Sequence, residues 1–165
     1  MAILAALPVL GILLMLQLAV ISRLPLINGA ADLILLALAA WGLQERVKSA
    51  WIWAILAGAA VSYISGLPYF VPLIGYLLVT GIARLLQRRV WQSPILAMFL
   101  VTILGTILYQ FISIIALQTS GVPIPFQEGL THVTLPSTLL NIILALPMYI
   151  VISDIAHWIH PGETG

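Results

Sequence analysis

The stretch Pro94–Leu117 (PILAMFLVTILGTILYQFISIIAL) contains no charged side chain and is the longest clean apolar run of the sequence. A helix needs about 20 mostly apolar residues to cross the hydrocarbon core of a bilayer. The stretch therefore predicts a transmembrane helix. The whole chain agrees with this interpretation, because 62% of its 165 residues are hydrophobic and only 7% are charged. An average soluble domain has roughly 25% charged residues, so the composition excludes a soluble enzyme.

Outward from Pro94–Leu117, the sequence predicts an all-α, polytopic membrane protein that forms one integral membrane domain over residues 1–165. We expect six transmembrane helices, at about 2–22, 31–43, 50–64, 69–86, 94–117 and 135–159. Turn residues separate them, such as Asn28-Gly29 and Ser65-Gly66-Leu67-Pro68. The polar stretch Gln118–Thr134, with two prolines, is expected to be a loop.

The basic residues predict the orientation of this bundle. Six spans place both termini on one side of the membrane. The second-to-third and fourth-to-fifth connections lie on that same side, and they hold five of the six basic residues: Arg46, Lys48, Arg84, Arg88 and Arg89. Only Arg23 lies on the other side. Because cytoplasmic loops are enriched in Lys and Arg, both termini are expected in the cytoplasm.

No catalytic motif, cofactor motif or cysteine occurs in the sequence, and we expect no enzyme activity, cofactor or metal site. The net charge of +1 gives no basic field for nucleic acid. Asp32 is either a helix N-terminal residue or a functional carboxylate. A further set of charges with a possible role is the basic run Arg84, Arg88 and Arg89. Asp154, His157 and His160 share a helix face, but a terminal turn is a weak metal site.

Small and polar side chains recur at helical spacing in two predicted spans. The third span has the stripe Ala50, Ala54, Gly58, Ser62 and Gly66, and the sixth has Ser137, Asn141, Ala145, Tyr149, Ser153 and His157. Each stripe either packs inside the bundle or docks a partner's transmembrane helix. Asn141 is expected inside, against Gln110 or Thr106, and Pro147 frees the backbone carbonyl of Ile143. The partner helix is then expected on the small-residue faces of the first three spans.

From about Pro25 to Ile155, the chain resembles MreD, the bacterial rod shape-determining membrane protein family. Ala31–Leu36 (ADLILL) looks like the family's Pro-Asp-Leu-Leu opening of the second span, and Gly58–Pro68 (GAAVSYISGLP) is similar to its small-residue helix. Gly75–Arg89 (GYLLVTGIARLLQRR) resembles its glycine-containing helix before a basic loop, and Leu135–Tyr149 (LPSTLLNIILALPMY) its last span. The sequence departs from the family at Ser62, where an aspartate is frequent.

The resemblance implies a scaffold without enzyme activity in the bacterial cytoplasmic membrane, active in cell elongation and peptidoglycan synthesis. Implied partners are MreC, the RodA glycosyltransferase, a class-B penicillin-binding protein and the complex linked to MreB filaments. The implied fold resembles the six-helix substrate-binding subunits of energy-coupling-factor vitamin transporters.

Such a transporter subunit is the alternative function. It requires a pocket of converging aromatic and polar groups, for which the sequence offers Asn28, Asp32, Tyr69, Gln127, Glu128 and His132. A flippase or small channel needs more polar residues at mid-membrane depth than Gln110, Ser113 and Asn141.

Overall fold

The computed structural model describes residues 2–19, 29–45, 47–89 and 93–160. These residues form helices and contain no strand, which confirms the all-α class. The helices are α1 (Ala2–Ala19), α2 (Leu33–Leu43), α3 (Ala50–Ile64), α4 (Phe70–Arg89), α5 (Pro94–Thr119), α6 (Phe126–Glu128) and α7 (Leu135–Ile159). Arg23, Asn28 and Arg46 lie outside the described residues.

Three segments of the described chain are long and apolar enough to cross a membrane: Phe70–Arg89, Pro94–Thr119 and Phe126–Ile159. This finding identifies a membrane protein. The three earlier helices are shorter. α2 has 11 residues, so it is about 16 Å long and covers roughly half of the bilayer hydrocarbon. The six full spans therefore remain a prediction.

α2 is the central helix of the bundle. All its residues are buried, and it contacts α1, α3, α4, α5 and α7. Its side chains are apolar on every face, as expected for a helix surrounded by protein. Near its end, the indole of Trp41 stacks on that of Trp53 of α3, with ring centroids 4.0 Å apart. The short central helix is thus held by its neighbours.

The small-residue stripe of α3 packs against α4. Ala54, Gly58 and Ser62 are buried, and a Cβ added at Gly58 would lie 2.7 Å from the Cα of Leu73. Only glycine permits such a close approach of two backbones. The prediction that Gly66 belongs to this stripe is wrong. α3 ends at Ile64, and Gly66 is exposed with nothing within 4 Å of an added Cβ. The stripe therefore stops at Ser62.

The segment after α5 is more helical than the predicted loop Gln118–Thr134. Pro125 precedes α6, and a π-helical segment, Gly129–Thr134, joins α6 directly to α7. Proline is compatible with a helix start because the first helical N–H groups have no partner within the helix. Phe126 packs edge-on against Phe111 of α5, with ring centroids 5.7 Å apart. This packing ties the segment to the bundle.

Candidate functional site

The candidate site is a network of polar side chains around Asp32, at the N-terminus of α2. Asp32 is the N-cap of α2, and its Oδ1 accepts a hydrogen bond of 2.9 Å from the backbone N–H of Leu35. A side-chain acceptor at this position satisfies one of the N–H groups that the first turn leaves free. Asp32 is therefore a helix N-terminal residue, as one of its two interpretations predicts.

Two polar side chains of α7 hold the irregular backbone before α2. The backbone N–H of Asp32 donates to Asn141 Oδ1 (2.8 Å), and that of Ala30 donates to Ser137 Oγ (3.2 Å). Asn141 also donates through Nδ2 to Thr106 Oγ1 of α5 (2.9 Å), one of the two internal partners that the sequence suggests. Side-chain acceptors of this kind satisfy N–H groups of irregular backbone that have no partner within a helix. Asn141 thus joins α2, α5 and α7.

A pair of tyrosines completes the network from the other side. Tyr76 of α4 donates through its hydroxyl to the Asp32 carboxylate, 3.1 Å from Oδ2 and 3.3 Å from Oδ1. Its ring is stacked on Tyr109 of α5 with centroids 5.4 Å apart. Gly75 makes room for this stack, since an added Cβ would collide with the Tyr109 ring. Asp32 is therefore contacted by α4 and α7 at once.

The network borders a cavity of about 270 Å³. Alanine, leucine, isoleucine and valine residues form most of its lining, and the polar residues are Gln17, Asp32, Ser65, Tyr76, Tyr109 and Gln110. A few convergent polar groups in a mostly apolar pocket are typical of small-molecule sites. The cavity can accommodate a small ligand at the Asp32 carboxylate.

Asp32 is the one acidic residue among the described residues that line the cavity. Among the described residues, none of those that line the cavity is basic. The N-terminus of α2 supplies a partial positive charge that favours the carboxylate, and the hydroxyl of Tyr76 adds a donor. A ligand that binds Asp32 directly would have to bring a donor or a positive charge.

Of the polar residues that the sequence offered for a pocket, Asp32 alone lines the cavity within the described chain. Tyr69, Gln127, Glu128 and His132 are exposed elsewhere. Sequence reasoning missed Tyr76, Tyr109 and Gln17. Tyr76 had a usable signal, because it is the hydroxyl-bearing aromatic of the quoted stretch Gly75–Arg89, and Asp32 needs a donor.

The remaining predicted residues lie away from this network. Pro147 is exposed on the outer face of α7, and Arg88 and Arg89 are exposed at the end of α4. Arg84 is half-buried and donates through Nη1 to the carbonyl oxygen of Gln44 (3.3 Å). The oxygen Ser62 Oγ lies 2.6 Å from the carbonyl oxygen of Gly58 and 2.7 Å from that of Tyr69.

No group of three histidine, aspartate or glutamate side chains within the described residues could hold a metal ion. Comparison of the chain with protein-family models, with curated proteins and with solved structures gives no match.

Proposed function

We propose that the chain is a non-enzymatic scaffold of the bacterial cell-elongation machinery, which binds partner transmembrane helices in the cytoplasmic membrane. By resemblance to the MreD family, the partners are MreC, RodA, a class-B penicillin-binding protein and the complex linked to MreB. Such a scaffold functions through its outer surface rather than through a reaction centre.

The observation that carries the proposal is the use of polar side chains inside the bundle. Asp32, Asn141, Thr106 and Tyr76 bind each other or the backbone of another helix. Such contacts rigidify a bundle, as a scaffold requires. Large apolar side chains cover the outside, among them Leu139 and Ile143 of α7 and Leu104 of α5. Lipids or partner helices can pack on this surface.

The stretches that resemble the family also meet in the fold. Ala31–Leu36 and Leu135–Tyr149 are joined by the hydrogen bond between the N–H of Asp32 and Asn141 Oδ1. Gly58–Pro68 lies against α4, the helix that contains Gly75–Arg89, through the close approach of Gly58 to Leu73. The first and fourth stretches therefore contact each other, and the second packs on the helix that contains the third.

The packing of α3 changes the expected docking surface. Its small-residue stripe is covered by α4, so a partner helix cannot use it. On α1, Ala6 is buried, but Gly11 is exposed and has nothing within 4 Å of an added Cβ. Leu7 and Met15 flank it on the exposed face. We place the partner helix on this face of α1.

Isolation of the tagged protein from its native membranes tests the scaffold. Mass spectrometry should identify MreC or RodA relatives with the native chain. Gly11→Trp should reduce their recovery, because bulk blocks close helix approach, whereas Leu104→Trp on α5 is the matched control. Both variants should melt like the native chain. If both variants recover the same partners, the docking face does not lie on α1.

A second function, that of a transporter substrate-binding subunit, is favoured by the cavity at Asp32. It predicts a vitamin-sized molecule in native mass spectra of the purified protein and a transport ATPase among the isolated partners. Gln110→Leu should then weaken ligand retention, because Gln110 lines the cavity but is outside the Asp32–Asn141 contact. Cell-elongation proteins without a bound molecule would favour the scaffold.

The proposed orientation places both termini in the cytoplasm. Lys48, Arg84 and Arg88 line one groove. Basic residues before α3 and at the end of α4 therefore lie at the same end of the bundle. Gln127 lies beyond the far end of α5. In intact cells, an impermeant thiol reagent should label Gln127→Cys and leave Gln87→Cys unlabelled. The reverse pattern would overturn the orientation.

A further inference from the structure

A groove of about 600 Å³ lies between the start of α3 and the end of α4. Lys48, Arg84 and Arg88 line it together with Glu45, so three positive charges face one negative charge and the net charge is +2. Arg84 is anchored by its bond from Nη1 to the carbonyl oxygen of Gln44 (3.3 Å). Arg88 follows one helical turn later and, like Lys48, is exposed. The groove thus presents a fixed guanidinium and two adaptable cations.

One wall of the same groove is apolar. Trp51 and Leu85 line it and are 47% and 65% exposed. The indole lies beside α4 at Gly81, where an added Cβ would be 3.4 Å from Trp51 Cη2, an ordinary van der Waals distance. Tryptophan near a helix end is typical of the membrane interface, and arginine at such an end extends to the headgroups. A basic pocket therefore continues directly into an apolar surface.

We propose that this groove binds an anionic phospholipid. Its phosphodiester would contact Arg84, Arg88 and Lys48, since guanidinium groups match phosphate oxygens and lysine adds a point charge. Its acyl chain would lie along Trp51 and Leu85. The apolar wall distinguishes this ligand from free phosphate, which would use the basic side chains alone. Basic pockets beside transmembrane helices have the chemistry that anionic headgroups require.

Trp51 supplies a direct probe of the acyl chain. The full-length protein is reconstituted in phosphatidylcholine vesicles that contain either brominated phosphatidylglycerol or brominated phosphatidylcholine, and tryptophan fluorescence is measured. Trp51→Phe identifies the share of quenching due to this residue. We expect Trp51 to be quenched at lower fractions of brominated phosphatidylglycerol than of brominated phosphatidylcholine. Equal quenching by both lipids would overturn the proposal.

Charge variants separate a defined site from general attraction to the surface. Arg88→Gln and Lys48→Gln, made singly and together, remove exposed charges that line the groove. The double variant should need about tenfold more phosphatidylglycerol for the same quenching. Arg89→Gln removes one positive charge, as each single variant does. It lies one residue from Arg88 but outside the groove lining, so it should behave like the native chain. An equal loss in the control would show that only overall charge matters.

Inorganic phosphate provides the last arm of the test. Added phosphate should leave Trp51 quenching unchanged beyond the effect of sodium chloride at equal ionic strength. Specific displacement of the lipid by phosphate would identify a free-phosphate site and overturn the lipid assignment. Melting temperatures of the variants should match that of the native chain. A variant that melts early is replaced in the comparison by the other single variant.

Discussion

The contact between α3 and α4 differs sharply at its two ends. At Gly58 the helices close on each other, with an added Cβ 2.7 Å from the Cα of Leu73. At Gly81 they part, and basic side chains line the open groove. An added Cβ at Gly58 would collide with the backbone of α4, whereas one at Gly81 would lie 3.4 Å from Trp51 Cη2, at ordinary van der Waals distance. The closed end, with the neighbouring Asp32 network, should govern stability, and the open end should govern lipid binding.

Gly58→Leu should give the largest loss of stability. Its side chain meets the backbone of α4, which cannot move aside as a flexible side chain can, so the free energy of unfolding should fall by about 3 kcal/mol. The measurement is thermal unfolding in detergent. Ile55→Leu, at an exposed position of the same helix, is the control. Equal melting temperatures for the two variants would contradict the closed end.

Asn141→Leu should have the next largest effect. It leaves the buried N–H of Asp32 without its acceptor and removes the donor to Thr106, which should cost about 2 kcal/mol. Leu139→Ala, at an exposed position of α7, should change the melting temperature little. If Asn141→Leu melts normally but loses its partners during isolation, this face of α7 docks a partner rather than α2.

Tyr76→Phe should have a smaller effect, because the ring and its stack on Tyr109 remain. Only the hydroxyl donor to Asp32 is lost, at a cost of about 1 kcal/mol. Tyr63→Phe removes a hydroxyl from an exposed ring and serves as the matched control. A melting temperature equal to that of this control would show that Asp32 needs no donor from α4.

Gly81→Leu should have the smallest effect on stability, within about 0.5 kcal/mol. The nearest atom to an added Cβ belongs to the Trp51 side chain, which can shift. The same variant fills the groove, and its quenching by brominated phosphatidylglycerol should fall. A large loss of stability would show that the two ends of the contact are equally closed.

Local signals in the sequence predicted much of the helical framework. α3 and α7 begin and end at the predicted residues 50–64 and 135–159. The second helix starts two residues later than expected, because Asp32 acts as its N-cap. The π-helical segment was missed, since Pro123, Pro125 and Gly129 resemble a loop by composition. The segment packs on α5, where a Cβ added at Gly129 would lie 2.9 Å from Ile114 Cδ1, and such a contact between distant positions has no local signal.

The Asp32 site was less predictable than the helices. Asp32 and Asn141 could be singled out as polar residues in apolar surroundings, but their direct contact joins positions 109 residues apart. The stack of Tyr76 on Tyr109 depends on how α4 and α5 are aligned. Helical periodicity gives the face on which a side chain lies, but not its height relative to another helix. The cavity arises from that alignment.

The enclosed position of α2 has a consequence for biogenesis. The backbone N–H groups of Ala30 and Asp32, just before α2, bind Ser137 and Asn141 of α7. During synthesis, these acceptors leave the ribosome 107 and 109 residues later. Eleven residues are too few for stable integration as an independent span. A chain that ends before α7 lacks the acceptors of these two N–H groups, so the start of α2 should reach its final contacts only after α7 has been made.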